Sequence, residues 1–322
     1  MKSLLSFALC AMVLLDGCIL GNGGGGSGTG WTTQSSGTVT VLRSVQFVNT
    51  TTGWAVGDEE VTLKTTDGGA TWVNKSPGTW SRSKSHAVRF MDLNLGWMLS
   101  DSDGVAYIFK TTDGGESWNK YRLSSDMNSI FFADAYTGWV VGSDYMSKTT
   151  NGGVTWQTPT NISGSIELTS VTFADVMNGW VVGDRGDIFK TTNGGTTWNR
   201  QTSGTTRDLN AVRFWDLNNG WIAGRSAILH TTNGGTTWTP QTIDTNYVLG
   251  GIDFVNANTG WAVGYNRASA NAGVILKTTD GGVSWNLESA GSIPSLISLD
   301  AIDTGRAWAV GVTGAIVKYT GD

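Results

Sequence analysis

Apolar and polar residues alternate along this chain in short runs, not at helical spacing. Val45/Phe47, Val171/Phe173 and Val212/Phe214 each place apolar side chains two residues apart among β-branched and aromatic neighbours. A period of two is the pattern of a strand with one covered face. The runs are punctuated by Asp or Asn followed by a glycine pair, residues that accept positive φ cheaply and mark tight hairpins. The pattern predicts an all-β chain of short antiparallel strands.

Two landmarks repeat. "GWAVG" at Gly53 is followed by related strings at Gly96, Gly138, Gly179, Gly220 and Gly260, with "AWAVG" at Ala307 as the seventh. Seven residues before these tryptophans stand Phe47, Phe90, Phe132, Phe173, Phe214, Phe254 and, last, Ala301. "KTTDGGATW" from Lys64 has counterparts from Lys110, Lys148, Lys190, His230 and Lys277. The unit of about 41 residues therefore reads as an apolar strand, the GW strand, a strand ending in K-T-T, a hairpin, and a strand opening with T/S-W. Four antiparallel strands per unit, repeated around a ring, make a β-propeller blade.

The last phrase, "AIVKYTGD" (315–322), reaches Lys318 without a glycine pair or a tryptophan. "WTTQSSGTVTVLRSVQF" (31–47) aligns without a gap on "WNRQTSGTTRDLNAVRF" (198–214). Trp31 is thus expected to open the fourth strand of a blade whose other three strands lie at the C-terminus. Residues 31–322 form one seven-bladed propeller, closed by pairing residues 31–37 with roughly 294–320. Fourteen of the 16 tryptophans fall two per blade, expected between neighbouring sheets, which leaves Trp80 and Trp215 outside the pattern.

Composition changes this picture mainly at the N-terminus. Lys2 and the apolar run 3–15, too short to span a bilayer, read as a signal peptide over residues 1–17. Leu15 and Gly17 before Cys18 resemble the lipobox of bacterial lipoproteins, which implies a lipid on Cys18. Residues 18–30, with their glycine run, then form a tether. The expected location is the bacterial cell envelope, on the periplasmic or cell-surface side, with simple secretion as the alternative. Cys10 and Cys18 are the two cysteines, so the body offers no disulfide and no thiol chemistry. A net charge of −5 argues against a nucleic-acid binder.

The T/S-x-D/N-x-G-x-T/S-W run resembles the Asp-box, or bacterial neuraminidase repeat. Together with GW-x-x-G and K-T-T-D/N-G-G, the whole body is similar to the photosystem II stability/assembly factor family. That resemblance implies a seven-bladed propeller, exported and in cyanobacteria often lipidated, that assists assembly of a membrane complex. It also implies an arginine-rich patch on the propeller.

Asp67, Asp113, Asn151, Asn193, Asn233 and Asp280 occupy the acidic position of the hairpins. Asn in half the copies suits an acceptor within its own turn and not an acid or a metal ligand. Asp92, Asp134, Asp175 and Asp216 are read as turn residues too. Spacings on this face are invariant, whereas the loops at the opposite ends of the strands vary, and variable loops are where binding is expected. Arg185, Arg225 and Arg267 follow the GW strands of three consecutive blades, Arg207 lies between the first two, and Tyr265 sits beside them. Such a cluster suits carboxylates or phosphates on a partner. Trp80 with Arg82 is a second candidate contact.

The expected function is a non-catalytic interaction scaffold, a monomer without metal or cofactor, that meets an acidic segment of a protein partner and the membrane through its lipid. A glycan-binding adhesion propeller is the alternative, with Trp80 stacking on sugar. A sialidase-like hydrolase ranks third. It needs a matched carboxylate pair, and Asp58, Glu59, Glu60, Asp101, Asp103, Asp184 and Asp187 single out none.

Overall fold

The computed structural model describes residues 30–78, 83–102, 104–143, 145–157, 160–161, 167–290 and 293–321. Cys18, Trp80, Arg82 and the expected tether before Gly30 lie outside the described residues. The described strands form seven four-stranded antiparallel sheets. Blade 1 is built from Leu42–Phe47, Gly53–Gly57, Thr62–Thr65 and Val73–Asn74, and blades 2 to 6 repeat that order. Blade 7 takes Leu296–Asp303, Arg306–Gly311 and Ile316–Thr320 from the C-terminal end and Trp31–Gln34 from the N-terminal end. Trp31 pairs with Tyr319 and Gln34 with Ile316, so the expected closure is what the ring uses. A sheet edge that would otherwise stand open is thereby paired.

One packing unit recurs between blades. Each GW tryptophan lies flat on the phenylalanine of the next blade, as Trp180 does on Phe214 with ring centroids 3.5 Å apart. The far side of the indole is covered by the cross-strand partner lysine, with Lys190 Nζ 5.2 Å from the Trp180 centroid. The indole N–H donates to a glycine carbonyl in the next blade's hairpin, Trp180 Nε1 to Gly234 O at 3.1 Å. Six interfaces repeat this bond, through Trp54, Trp97, Trp139, Trp180, Trp221 and Trp308. Full burial of such a ring is worth about 1.5–3 kcal/mol, and the satisfied N–H avoids a desolvation penalty.

The fourth-strand tryptophans behave differently from the expectation that both sets are enclosed. Trp72, Trp118, Trp156, Trp198 and Trp285 are only half-buried and meet the phenylalanine of their own blade edge-on. They stand at the hairpin end of the outermost strands, although the equivalent Trp238 is buried.

The seam between blades 6 and 7 departs from the rule. Ala301 replaces the phenylalanine and the glycine-pair hairpin is missing, so the buried Trp261 Nε1 has no hydrogen-bond partner. Tyr319 fills the gap with its ring 5.4 Å from both Trp261 and Trp31, and its hydroxyl accepts a 2.6 Å bond from Lys277 Nζ. Trp31 Nε1 donates to Glu288 of blade 6 at 2.9 Å, which ties the closing strand across the seam.

The first strands of successive blades touch one another around the central channel. Their free edges need hydrogen-bond partners, and side chains of the preceding blade supply them. Ser44, Ser129 and Ser170 hydroxyls accept from the amides of Val88, Val171 and Val212. The equivalent positions in the other blades are Ala87, Ala211, Gly251 and Ser298, so this level of the channel is a waist of small residues. One step nearer the hairpin face, Gln46, Asp253 and Asp300 accept from Phe90, Ala301 and Phe47 amides at 2.5, 3.0 and 2.9 Å.

Arg89 and Arg213 belong to that same level, and Arg213 Nε lies 2.8 Å from Asp253 Oδ1. Burial and the neighbouring Asp253 push the Asp300 carboxyl up from 3.8 to about 7, against the Phe47 amide and the two arginines. A carboxyl whose native pKa is raised holds its proton in the folded chain after the unfolded chain has lost it. Stability is therefore lost as pH rises from about 4 through about 7. Asn keeps the acceptor without the charge. Asp300→Asn should match the parent near pH 4 and melt at a higher temperature above pH 7; a constant gap across that range would disprove the assignment.

Candidate functional site

The glycine-pair hairpins close on themselves. Asp67 Oδ1 accepts from the Thr71 amide at 2.9 Å and Oδ2 from its hydroxyl at 2.6 Å, while Thr65 Oγ1 donates to Asp67 Oδ1 at 2.8 Å. Those bonds, led by the Thr71 hydroxyl, hold the Asp67 carboxyl at about 2. Asp113 and Asp280 are bonded alike. Asn151 keeps the amide bond and reverses the other, its Nδ2 donating to Thr155 Oγ1 at 2.7 Å, and Asn193 and Asn233 do the same. A hydroxyl can donate or accept, which is why Asp and Asn interchange here. Asp92, Asp134, Asp175 and Asp216 each accept two amides of their own turns.

At the other ends of the strands the four arginines lie on one arc over blades 4 to 6. Arg185 stands at positive φ (56°) in the short turn Asp184–Gly186, which turns its side chain out beside the blade 4 to blade 5 connection. Its amide donates to Asp208 Oδ1 at 3.2 Å, and Arg225 Nη1 is 3.9 Å from the other oxygen of that carboxylate. Arg207 Nη1 donates to Ser226 O at 3.1 Å, and Arg267 Nη2 donates to Ser226 Oγ at 3.1 Å and Thr245 O at 2.8 Å. Arg207 and Arg267 thus converge on one tight turn from both sides. All four side chains are exposed, and Arg185 Nε also lies 3.8 Å from Asp184 Oδ1. Tyr265 is half-buried in its strand, paired with Val248, which also bridges Arg225.

Arg185, Arg207 and Arg200 line a cleft of about 690 Å³ whose floor is the Ser203–Thr205 turn. Arg200 was not singled out by sequence; it pairs with the buried Asp187 and remains 66 % exposed. A second cleft of about 670 Å³ stands at the matching place between blades 7 and 1, floored by the equivalent Ser36–Thr38 turn. There the three arginine positions are all threonine: Thr313 for Arg185, Thr33 for Arg200, Thr40 for Arg207. One backbone carries two clefts, and one alone is cationic. Comparing the aligned segments 31–47 and 198–214 would have exposed Arg200.

Of the carboxylates on this face, Glu59 lines the second cleft and three others are paired. Asp58 pairs with Arg43, Asp101 with His86 and Asp187 with Arg200. Among the described residues no group of three or more His, Cys, Asp or Glu could hold a metal ion.

Fold, hairpins and cleft define a class: a single-ring seven-bladed propeller with one invariant and one variable face. Within that class the chain belongs to the photosynthesis system II assembly factor YCF48 family, whose model matches residues 27–129 and 159–316. Among solved structures, YCF48 bound to D1 peptide superposes with a TM-score of 0.74 at 18% identity, over 91% of this chain and 97% of that one. YCF48 from Cyanidioschyzon merolae gives 0.71 at 20%, over 90% and 98%. The GH74 enzyme of Niastella koreensis gives 0.72 at 15%, covering 89% of this chain but 53% of its own. At these identities the likeness is one of fold. Among curated proteins none matches.

Proposed function

We propose that this chain is a non-catalytic scaffold, exported and tethered through Cys18, that holds a protein partner by an acidic segment laid along the arginine arc. Family membership supports a role in assembling a membrane complex, and a propeller of this fold has been seen with a D1 peptide bound. The observation that carries the reading is the pair of clefts. Thr313 and Thr40 in one become Arg185 and Arg207 in the other while the turn beneath is kept, and Arg200 in addition pairs with the buried Asp187, whose counterpart is Ala315. The ring acts as a monomer and needs no cofactor.

Arg185→Thr with Arg207→Thr gives the cationic cleft the threonines of the second cleft at two of its three arginine positions. Affinity for a glutamate-rich peptide, measured by titration calorimetry, should fall by about a hundredfold, since charge-assisted hydrogen bonds contribute about 1.5–3 kcal/mol each. An unchanged affinity would refute the proposal. Raising salt should weaken the parent more than the variant, which keeps Arg200, Arg225 and Arg267.

A further inference from the structure

The hairpin face, constant in its spacing, is not constant in its chemistry. Its first-to-second strand turns carry Met91 and Leu93 in blade 2, Tyr136 in blade 3, Met177 in blade 4, and Trp215 and Leu217 in blade 5. These side chains are between 36% and 68% exposed. At the same turn, blade 6 has Asn256, Ala257 and Asn258, and blade 1 has Asn49, Thr50 and Thr51. Large apolar tips therefore occupy four consecutive blades, all at one level of the ring, because every turn projects from the same end of its blade. Val283 in the blade 6 hairpin is exposed on this face too, but at the first-to-second strand turns the large exposed side chains fall on four adjacent blades, and such a cluster marks a contact where scattered residues would need no explanation.

The position of the chain's first described residue says what lies opposite. Gly30 O accepts from the Thr320 amide at 2.8 Å, and Gly321 N donates to Gly305 O in the first turn of blade 7. The chain thus joins the ring on the hairpin face, across from the apolar arc. Eleven residues separate Cys18 from Gly30, a reach of at most roughly 40 Å. The hairpins of blades 3 to 5 carry Asn151, Asn193 and Asn233 where blades 1, 2 and 6 carry Asp, so the arc is also the part of the face with fewest hairpin carboxylates. Of the acids that remain there, Asp92, Asp113, Asp134, Asp175 and Asp216 are bonded to amides of their own turns, and the exposed Glu116 of blade 2 is paired with Lys75. The tips form no groove for a peptide or helix; they are separate points on a circle. Trp, Tyr, Met and Leu at isolated tips are what a bilayer interface accepts.

We propose that the hairpin face rests on a lipid bilayer, with the turn tips of blades 2 to 5 inserted in the interfacial region and the chain's attachment at blade 7 on the opposite rim. Contact at two opposite sides lays the ring flat and turns the arginine arc away from the membrane, toward whatever stands above it. The proposal does not depend on the arginine reading.

The test uses the full chain carrying Cys18→Ser, so that no lipid on that residue contributes, and vesicles of phosphatidylcholine. The parent should float with the vesicles, and this should be insensitive to salt because the contact is apolar. Tyr136→Ser, Met177→Ser and Trp215→Ser together should lower the bound fraction at least about tenfold. All three side chains are exposed, and an unchanged melting temperature excludes misfolding as the cause. Bromine-labelled lipid provides a readout that no other anchoring segment can imitate: it should quench Trp215 emission, and Trp215→Phe should remove that quenching. Equal flotation of parent and variant, or quenching indifferent to Trp215→Phe, overturns the proposal. So does a concentration-dependent dimer dispersed by the triple substitution, which would make this face a contact between two copies. Capture of an acidic peptide should be unaltered by the triple substitution.

Discussion

A chain shortened to begin at residue 41 should lose cooperative unfolding, not merely a peripheral strand. The four residues Trp31–Gln34 pair with Ile316–Tyr319, and without them blade 7 presents an unpaired outer edge. Trp31 also belongs to the cluster of Trp261, Val263, Ile275 and Tyr319 that seals the seam. Loss of that one side chain alone would cost about 3–5 kcal/mol, a large share of the 5–15 kcal/mol available to a domain. This seam also lacks the hairpin bond that six other tryptophans make, since Trp261 Nε1 has no partner. Guanidinium unfolding followed by tryptophan fluorescence should show a lower midpoint and a shallower slope, reporting loss of two-state behaviour. A separate peptide of residues 30–40 should restore both. An unaltered transition would show that the ring closes without its N-terminal strand.

The second large effect concerns Phe214 and Gly220, which face each other across the first two strands of blade 5. The phenyl ring lies over the glycine so closely that a Cβ there would meet it at 2.4 Å. Gly220→Ala should therefore cost about 1–3 kcal/mol by forcing the ring off Trp180. Phe214→Ala removes a buried ring and should cost about 3–5 kcal/mol. The double variant should be no less stable than Phe214→Ala alone, because the added methyl then fills space. Blade 7 already makes that exchange: Ala301 stands opposite Ala307, the one place where the phenylalanine and the glycine are both alanine. Strictly additive losses would sink the argument.

Much of the fold was legible because its determinants are local and repeated. Glycine pairs announce hairpins, alternation announces strands, and the match of residues 31–47 to 198–214 announces closure. The Ala301/Ala307 exchange was visible as "AWAVG" but had no reason until the ring was seen lying over the glycine. Less of the site could be read. The four arginines could be placed on one face, yet their convergence on Ser226 depends on turn geometry that spacing does not encode. Arg200 was hidden because it falls on a strand with no landmark. The channel charges escaped for a different reason: Arg89, Arg213, Asp253 and Asp300 immediately precede the repeat's phenylalanine (or Ala301), where variation resembles ordinary surface drift. Constancy of spacing also directed attention away from the hairpin face, whose apolar tips vary only in residue type.

The waist of the channel bears on why there are seven blades. The six aromatic interfaces are interchangeable, so each would be equally content in a ring of six or eight. They fix how one blade meets the next and cannot count. The count is set where the first strands crowd together, at Ser44, Ala87, Ser129, Ser170, Ala211, Gly251 and Ser298. Side chains of that size set the perimeter at which neighbouring strands touch and serine hydroxyls span the gap. Bulkier residues would demand a wider circle and room for another repeat. The arithmetic of the ring resides in its smallest side chains, and its strength in the largest.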